Sequence, residues 1–311
     1  MRIFLFIISA FLLSAGFVSA QNVELFVSVR NNCTNQNVSD NATLYRVNPE
    51  NVQLDPIGLI GFPGVTSLEF LGDGRLVGSA ADDPAQGPKR SVLIDINPET
   101  GAGSLIGQIS DASNPGECGR APDLTYDSAT DTLFATADNN CPMDDSLQTI
   151  NQATGLGTLI GPYAPFDGGG NGIAINDNDV IFVTASYDLI TVDPQTGAPT
   201  KVADIDTDIG NNTFIVLNAL AYHPITGELY ATTVDSGRTS PNRGESTLVI
   251  LDTATGATQI VGDLPNCSDG LVFRLSNTRN VPTLSEWGLI ALAGILGLIS
   301  FMVIRRRKAI A

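Results

Sequence analysis

Apolar and β-branched residues recur along this chain in short runs that break at polar, glycine-rich turns. Thr43–Val47 (TLYRV), Val92–Ile96 (VLIDI), Leu147–Ile150 (LQTI), Leu189–Val192 (LITV) and Leu248–Leu251 (LVIL) each end at a turn. These turns open on Asn48, Asn97, Asn151, Asp193 and Asp252 and read NPENVQL, NPETGAG, NQATGLG, DPQTGAP and DTATGAT. Asn or Asp at the opening accepts backbone hydrogen bonds, Pro presets φ, and Gly supplies a left-handed residue, so each stretch reads as a tight hairpin. A second strand follows each turn, ending in Ile57-Gly58, Ile106-Gly107, Ile160-Gly161 or Val261-Gly262, with Val202-Ala203 as the variant.

Another hairpin lies between successive turns: Thr66–Ala80, Pro122–Ala137, Asn171–Ala185 and Asn218–Thr233. Each repeat thus holds four short strands, apolar on both faces, as sheets stacked face to face require. Used as a ruler, the turn-opening residues are 49, 54, 42 and 59 positions apart. Four-stranded antiparallel units at this period predict a β-propeller, and five rulers predict five blades. Val23–Asn31 matches the second strand of an inner hairpin but lacks the first, and Ser268–Leu275 matches a first strand without a second. Joined, they complete one blade and close the ring, N-terminal strand on C-terminal strand. The expected fold is all-β, with the propeller over residues 21–278 and one C-terminal transmembrane helix.

Both ends of the chain carry addresses. Arg2, an apolar run from Ile3 to Val18 and the small-residue site Val18-Ser-Ala20 predict a signal peptide over 1–20; a membrane anchor is the alternative. Leu289–Ile304 is uncharged, Trp287 precedes it and Arg305–Lys308 follows. This predicts a transmembrane helix over 288–304 with the C-terminus, carrying the basic tail 305–308, in the cytoplasm.

The segment Val281, Pro282, Thr283, Leu284, Ser285, Glu286, Trp287, Gly288 resembles the IPTL-type C-terminal sorting domain of Gram-negative bacteria, with Val281 in place of the usual Ile. The short Pro-containing motif, helix and Arg-rich tail stand in that family's order over residues 279–311. The resemblance implies an exosortase-like membrane peptidase as partner, removal of the tail and delivery to the cell surface or extracellular matrix. A plain single-pass anchor is the alternative.

Charge narrows the partners. The chain carries a formal charge of −17. Setting aside Arg2, Glu286 and the basic tail leaves 32 acidic against 11 basic residues. Such a surface excludes nucleic acid and suits cations. A single histidine, His223, argues against histidine-based catalysis, and the absence of Trp before residue 287 argues against the tryptophan-docked propellers of quinone enzymes.

Four cysteines in an exported chain predict disulfides. Cys33 and Cys141 each follow a second inner strand, and Cys118 and Cys267 each precede a first inner strand. The end of one strand lies beside the start of its antiparallel neighbour, so the register predicts Cys118–Cys141 within a blade and Cys33–Cys267 across the closure.

Candidate chemistry lies on the inner strands. Aligned on Leu68, Leu124, Ile173, Leu220 and Leu271, they place Thr66, Pro122, Asn171, Asn218 and Asp269 at one level, with Ser67, Asp123, Gly172, Ala219 and Gly270 next. Asp123, Asn171, Asn218 and Asp269 would face one mouth of the central channel. Their oxygens suit sugar hydroxyls or a hard cation, with Ca2+ at Asp123 and Asp269; the plainer alternative is that they cap strand starts. Glu69, in an inner strand, reads either as a catalytic acid or as an ion-pair partner of Arg75. Glu69, Asp123 and Asp269 together would resemble the carboxylates of five-bladed glycosidases, whose other motifs are absent. These readings favour a surface-sorted binding or structural module, recognising extracellular polysaccharide or another surface protein, over an enzyme. The alternative is a carboxylate-based propeller hydrolase, a glycosidase or lactonase, with an axial Ca2+.

Overall fold

The ruler turns fold as their composition requires. Asp193 Oδ1 accepts the amides of Gln195 and Thr196 at 2.8 and 2.9 Å. Asn97, Asn151 and Asp252 each accept the equivalent pair of amides. Gly101, Gly155, Gly197 and Gly256 then take φ between +73° and +77°. The first turn departs from this. Val52 occupies the glycine position at φ +56°, a backbone region that a β-branched residue rarely enters.

In this computed structural model residues 22–30, 41–81, 91–111, 119–137, 145–166, 170–207, 215–235 and 244–276 are described. The expected signal peptide at 1–20, the sorting motif, helix and basic tail at 281–308, and Cys33, Cys118 and Cys141 lie outside them. Among the described residues no helix is long and apolar enough to cross a membrane.

The strands over Val23–Leu275 form five sheets, the blades of a five-bladed β-propeller. From the axis outward, the first blade is β21 (Ser268–Ser276), β1 (Asn22–Arg30), β2 (Asn41–Val47) and β3 (Leu54–Pro63). The second is β4 (Ser67–Phe70), β5 (Leu76–Ala81), β6 (Ser91–Ile96) and β7 (Gly103–Gln108). The third is β9 (Leu124–Asp127), β10 (Thr132–Ala137), β11 (Ser146–Ile150) and β12 (Leu156–Pro162). The fourth is β13 (Gly170–Ile175), β14 (Ile181–Ala185), β15 (Asp188–Val192) and β16 (Pro199–Asp204). The fifth is β17 (Ile215–Tyr222), β18 (Leu229–Asp235), β19 (Ser246–Leu251) and β20 (Thr258–Leu264). The ring closes as the repeat predicted, with the last strand β21 beside the first strand β1. One strand was not expected: β8 (Ser110–Asp111) adds parallel to the outer edge of β12.

Among the described residues the buried apolar side chains form five clusters, and each fills the seam between two blades. Leu248 and Ala219 of the fifth blade, for example, pack with Leu25, Val27 and Leu271 of the first. This explains why the strands are apolar on both faces: each face meets a neighbouring blade.

The Ile-Gly endings have a specific role. In every blade the outer strand slips register at an equivalent residue, Ile57, Ile106, Ile160, Val202 or Val261, and β3 slips a second time between its pairings with Asn41 and Thr43. The next residue receives the ruler turn of the following blade. A β-carbon on Gly58 would strike the Thr100 carbonyl, one on Gly107 that of Thr154, and one on Gly161 that of Thr196. At the fourth blade Gly256 lies against Asp204 and Ala203. At the closure Val52 lies on Gly262, a β-carbon there standing 2.7 Å from Val52 Cγ2. Turn and bulge thus form a head-to-tail ring of five contacts.

Candidate functional site

The second strands carry a buried hydroxyl at one level all the way round: Ser28, Ser79, Thr136, Thr184 and Thr232, each fully buried. Their partners on the third strands are Leu44, Leu93, Leu147, Leu189 and Leu248. Three of these hydroxyls stitch seams, while Ser79 Oγ is buried without a hydrogen-bond partner. Ser28 Oγ donates to the Val65 carbonyl at 2.9 Å, Thr184 Oγ1 to Leu217 at 3.0 Å and Thr232 Oγ1 to Asp269 at 2.8 Å. Thr136 Oγ1 and Thr184 Oγ1 also accept the amides of Asp123 and Gly172 in their own blades. This level fixes where the inner strands begin. Ser67 lies opposite Ser79 and Ala219 opposite Thr232.

Asp123 stands at this level, fully buried. Its Oδ2 accepts the amide of Ile173 on β13 at 2.9 Å and that of Leu220 on β17 at 3.1 Å. One carboxylate oxygen therefore joins the inner strands of three successive blades. An innermost strand has an edge with no further strand to pair, so its amides need another acceptor. Thr125 serves the same purpose one step along, its Oγ1 accepting the Ile175 amide at 3.0 Å. Glu69, at the position equivalent to Thr125, accepts the amides of Phe70, at 3.0 Å, and of Tyr126 on β9.

Burial pushes the Asp123 carboxyl well above the usual carboxylate range, against the pull of the amides of Ile173, Leu220 and Leu124, and the charge of Glu69 adds to the rise. Burial likewise lifts Glu69 to about 8, against the amides of Phe70 and Tyr126. Asp123 Oδ1 is buried without a hydrogen-bond partner. The ion pair expected between Glu69 and Arg75 is not formed. Arg75 instead reaches Asp73, held close by the tight turn at Asp73-Gly74, at 2.7 Å, and Asp95 on β6 at 3.7 Å.

Asp269 belongs to a separate group at the mouth where the inner strands start. Arg30, at the end of β1, reaches its Oδ2 at 3.1 Å, and the Asn218 side chain hydrogen-bonds to it. Burial lifts Asp269 to about 6 even with Arg30 and Arg120 nearby to hold it down. Of the residues expected at the mouth, the structure thus joins Asn218 to Asp269. Asp123 is instead bonded to the amides of β13 and β17, and the side chain of Asn171 lies outside the described residues. Among the described residues no three His, Cys, Asp or Glu side chains converge as a metal-binding group. Glu69, Asp123 and Asp269, all among the described residues, thus do not form such a group.

Sequence reasoning missed Arg30 and Arg120. The signal was present: in a domain so poor in cations, two arginines lie next to inner-strand boundaries. His223 serves a turn, its Nδ1 accepting the amides of Ile225 at 3.3 Å and Thr226 at 3.1 Å, in the place Asp or Asn takes elsewhere.

Residues 281–308 match the model of the IPTL-CTERM motif, which is consistent with export and sorting to the surface. No curated protein matches the chain. Among solved structures it is similar to a chain of the nidogen/laminin complex, at 10% identity over 82% of this chain and 99% of that one, with a TM-score of 0.49. It is also similar to TolB from Acinetobacter baumannii, at 12% identity over 80% of this chain and 66% of that one, with a TM-score of 0.44. These likenesses concern the fold alone. The blade count rests on the strand pairing described above.

Proposed function

We propose that this chain is a surface-delivered propeller that binds extracellular polysaccharide at the channel mouth. The observation that carries this reading is the cluster of Arg30, Asn218 and Asp269, with Arg120 beside it. Fixed donors and acceptors around a guanidinium suit sugar hydroxyls and carboxylates. Deeper in the ring, Asp123 bridges β9, β13 and β17, so a ligand entering at the mouth stops above it.

Delivery in this proposal runs through the signal peptide at 1–20, the helix at 288–304 with its C-terminus in the cytoplasm, and an exosortase-like peptidase acting at the 281–308 motif. The motif match supports that route. Disulfides Cys33–Cys267 and Cys118–Cys141 would lock the exported domain. The Arg30 amide donates to the Cys267 carbonyl at 3.1 Å, which brings the start of β21 beside the end of β1, and no free cysteine occurs among the described residues.

Binding of the purified protein to a panel of neutral and acidic polysaccharides tests the reading. The wild type should bind a member of the panel, and Asn218→Ala should weaken that binding by about tenfold. Binding left unchanged by Asn218→Ala, or no binding by the wild type, overturns it.

A second reading, a glycosidase or lactonase, draws on Glu69 held at about 8, a carboxylic acid that stays protonated at neutral pH. It requires hydrolysis of a glycoside or lactone by the wild type that Glu69→Gln abolishes.

A further inference from the structure

We propose that Arg274 and Glu24 form an ionic latch on the last strand, β21, and that this strand is a strap which salt loosens while the other inner strands stay fast. At this end of the ring each other inner strand runs into its neighbour through a turn. Leu71 and Arg75, Asn176 and Val180, and His223 and Glu228 close three of these turns, the amide of the first donating to the carbonyl of the second. In the third blade Asp127 stands opposite Thr132. In the first blade no turn joins the two strands, because β21 ends the domain and β1 begins it. Counted from Leu271 and Leu68, Arg274 takes the place of Leu71. Counted from the hydroxyls of Ser28 and Ser79, Glu24 takes the place of Arg75. Their side chains stand in for the missing turn. Arg274 Nε and Nη2 donate to Glu24 Oε2 at 2.9 and 2.7 Å, between residues 250 positions apart.

The pair is built into a wider group. Arg46 on β2 lies 2.9 Å from the other Glu24 oxygen, so each oxygen carries one guanidinium. Arg274 Nη2 also reaches Glu99 Oε1, in the ruler turn of the second blade, at 3.2 Å. Both guanidiniums lie over Phe26, Arg274 at 5.0 Å and Arg46 at 5.6 Å from the ring centroid, and Arg274 lies 5.4 Å from that of Phe70. An isolated surface pair contributes little, whereas a forked network held against aromatic faces keeps its geometry. The Arg274 and Glu24 side chains are 23% and 19% exposed. That exposure leaves the latch open to screening by salt, which a covalent turn never is. The latch stands two residues before Ser276, where the chain runs on toward the motif at 281. Ionic strength thereby sets how often the strand leading into that motif is free, whatever the mouth binds.

Hydrogen exchange of the purified protein, read strand by strand by mass spectrometry, tests this. It is compared in about 0.01 M and about 1 M NaCl, between which the Debye length falls from roughly 30 to 3 Å. Exchange in β21 is expected to quicken by about tenfold at high salt, and that in β4, β9, β13 and β17 to change far less. Arg274→Met keeps a long stem over Phe26 and removes the charge. Its β21 should exchange faster than the wild type at low salt and lose the salt response. Glu99→Gln, an exposed change that leaves the central pair in place, provides a second variant and should shrink the response. Circular dichroism shows whether each variant has folded. A wild-type β21 that exchanges no faster at high salt overturns the proposal. So does a response shared equally by all the inner strands, or one undiminished in folded Arg274→Met or Glu99→Gln.

Discussion

Gly197 rests on Gly161: a β-carbon on Gly197 would stand 2.5 Å from the Gly161 carbonyl oxygen and 2.7 Å from its Cα. The two belong to adjacent blades, so the contact is a seam between sheets made entirely of backbone. Gly161→Ala would drive a methyl group into the Thr196 carbonyl, which cannot swing aside as a side chain could. A loss of about 1–3 kcal/mol is expected by urea denaturation. Gly227, at φ +71° with nothing within 4 Å, provides the comparison, since Ala there meets only the left-handed backbone penalty of roughly 1–2 kcal/mol. A Gly161→Ala variant as stable as the wild type would remove the seam from the account.

Thr232→Val tests the hydroxyl ring. The substitution keeps the shape and deletes the donor to the Asp269 carbonyl, leaving that buried acceptor short of a partner. The expected loss is about 1–3 kcal/mol. Thr191, on β15, has its Oγ1 3.5 Å from the Thr200 carbonyl at an exposed site, and Thr191→Val should change stability far less.

Carboxylates drawn wholly or partly out of water set the pH dependence. Glu69 and Asp269 sit at about 8 and about 6 in the folded chain, above their usual 4.5 and 3.8, and Asp123 is also raised. A raised acid binds its proton more tightly in the folded state. Its stabilising contribution is complete below the unfolded value and is lost as pH rises through the folded one. Stability of the EDTA-stripped protein should therefore fall as pH rises from about 4 to about 8. The exposed carboxylates Asp73, Asp131, Asp193 and Asp252 are shifted down and act only at lower pH. In Tm measured against pH, Glu69→Gln should flatten the upper part of the fall. A slope unchanged by Glu69→Gln would mean that Glu69 is not the group responsible.

The cysteine register yields a chemical prediction. Peptide mapping without reduction should recover Cys33 with Cys267 and Cys118 with Cys141. A cross-link between Cys33 and Cys267 closes nearly the whole ring, a loop for which chain entropy gives about 4–5 kcal/mol. Recovery of Cys33 with Cys118 would refute the pairing.

Blade number, blade order and the split first blade were legible in the sequence because the ruler turns depend on local chemistry. An Asn or Asp opening and a Gly at a left-handed position can be read from five consecutive residues. The Ile-Gly endings were also visible, but their purpose was not, since Gly161 meets Gly197 only across a seam. Glu69 stood out in the sequence as an inner-strand carboxylate, and it lies in β4. Its partners were misread because Arg75 is near in sequence, whereas Tyr126 lies on the next blade. Arg30 went unread for the same reason: the group it serves, Asp269, is at the other end of the chain. The short strand β8 left no trace, as two residues carry no periodicity.

The closing strand has a mechanical consequence. β21 is both the last strand of the domain and the innermost strand of the first blade. The chain leaves it at Ser276, shortly before the motif at residue 281. A pull on the C-terminal segment is therefore first felt at one end of β21. Force directed along that strand would load its bonds to β1, which lie across it, in shear together rather than one after another. The last-made strand of the propeller is thus the one that would carry a tether's load into the centre of the ring.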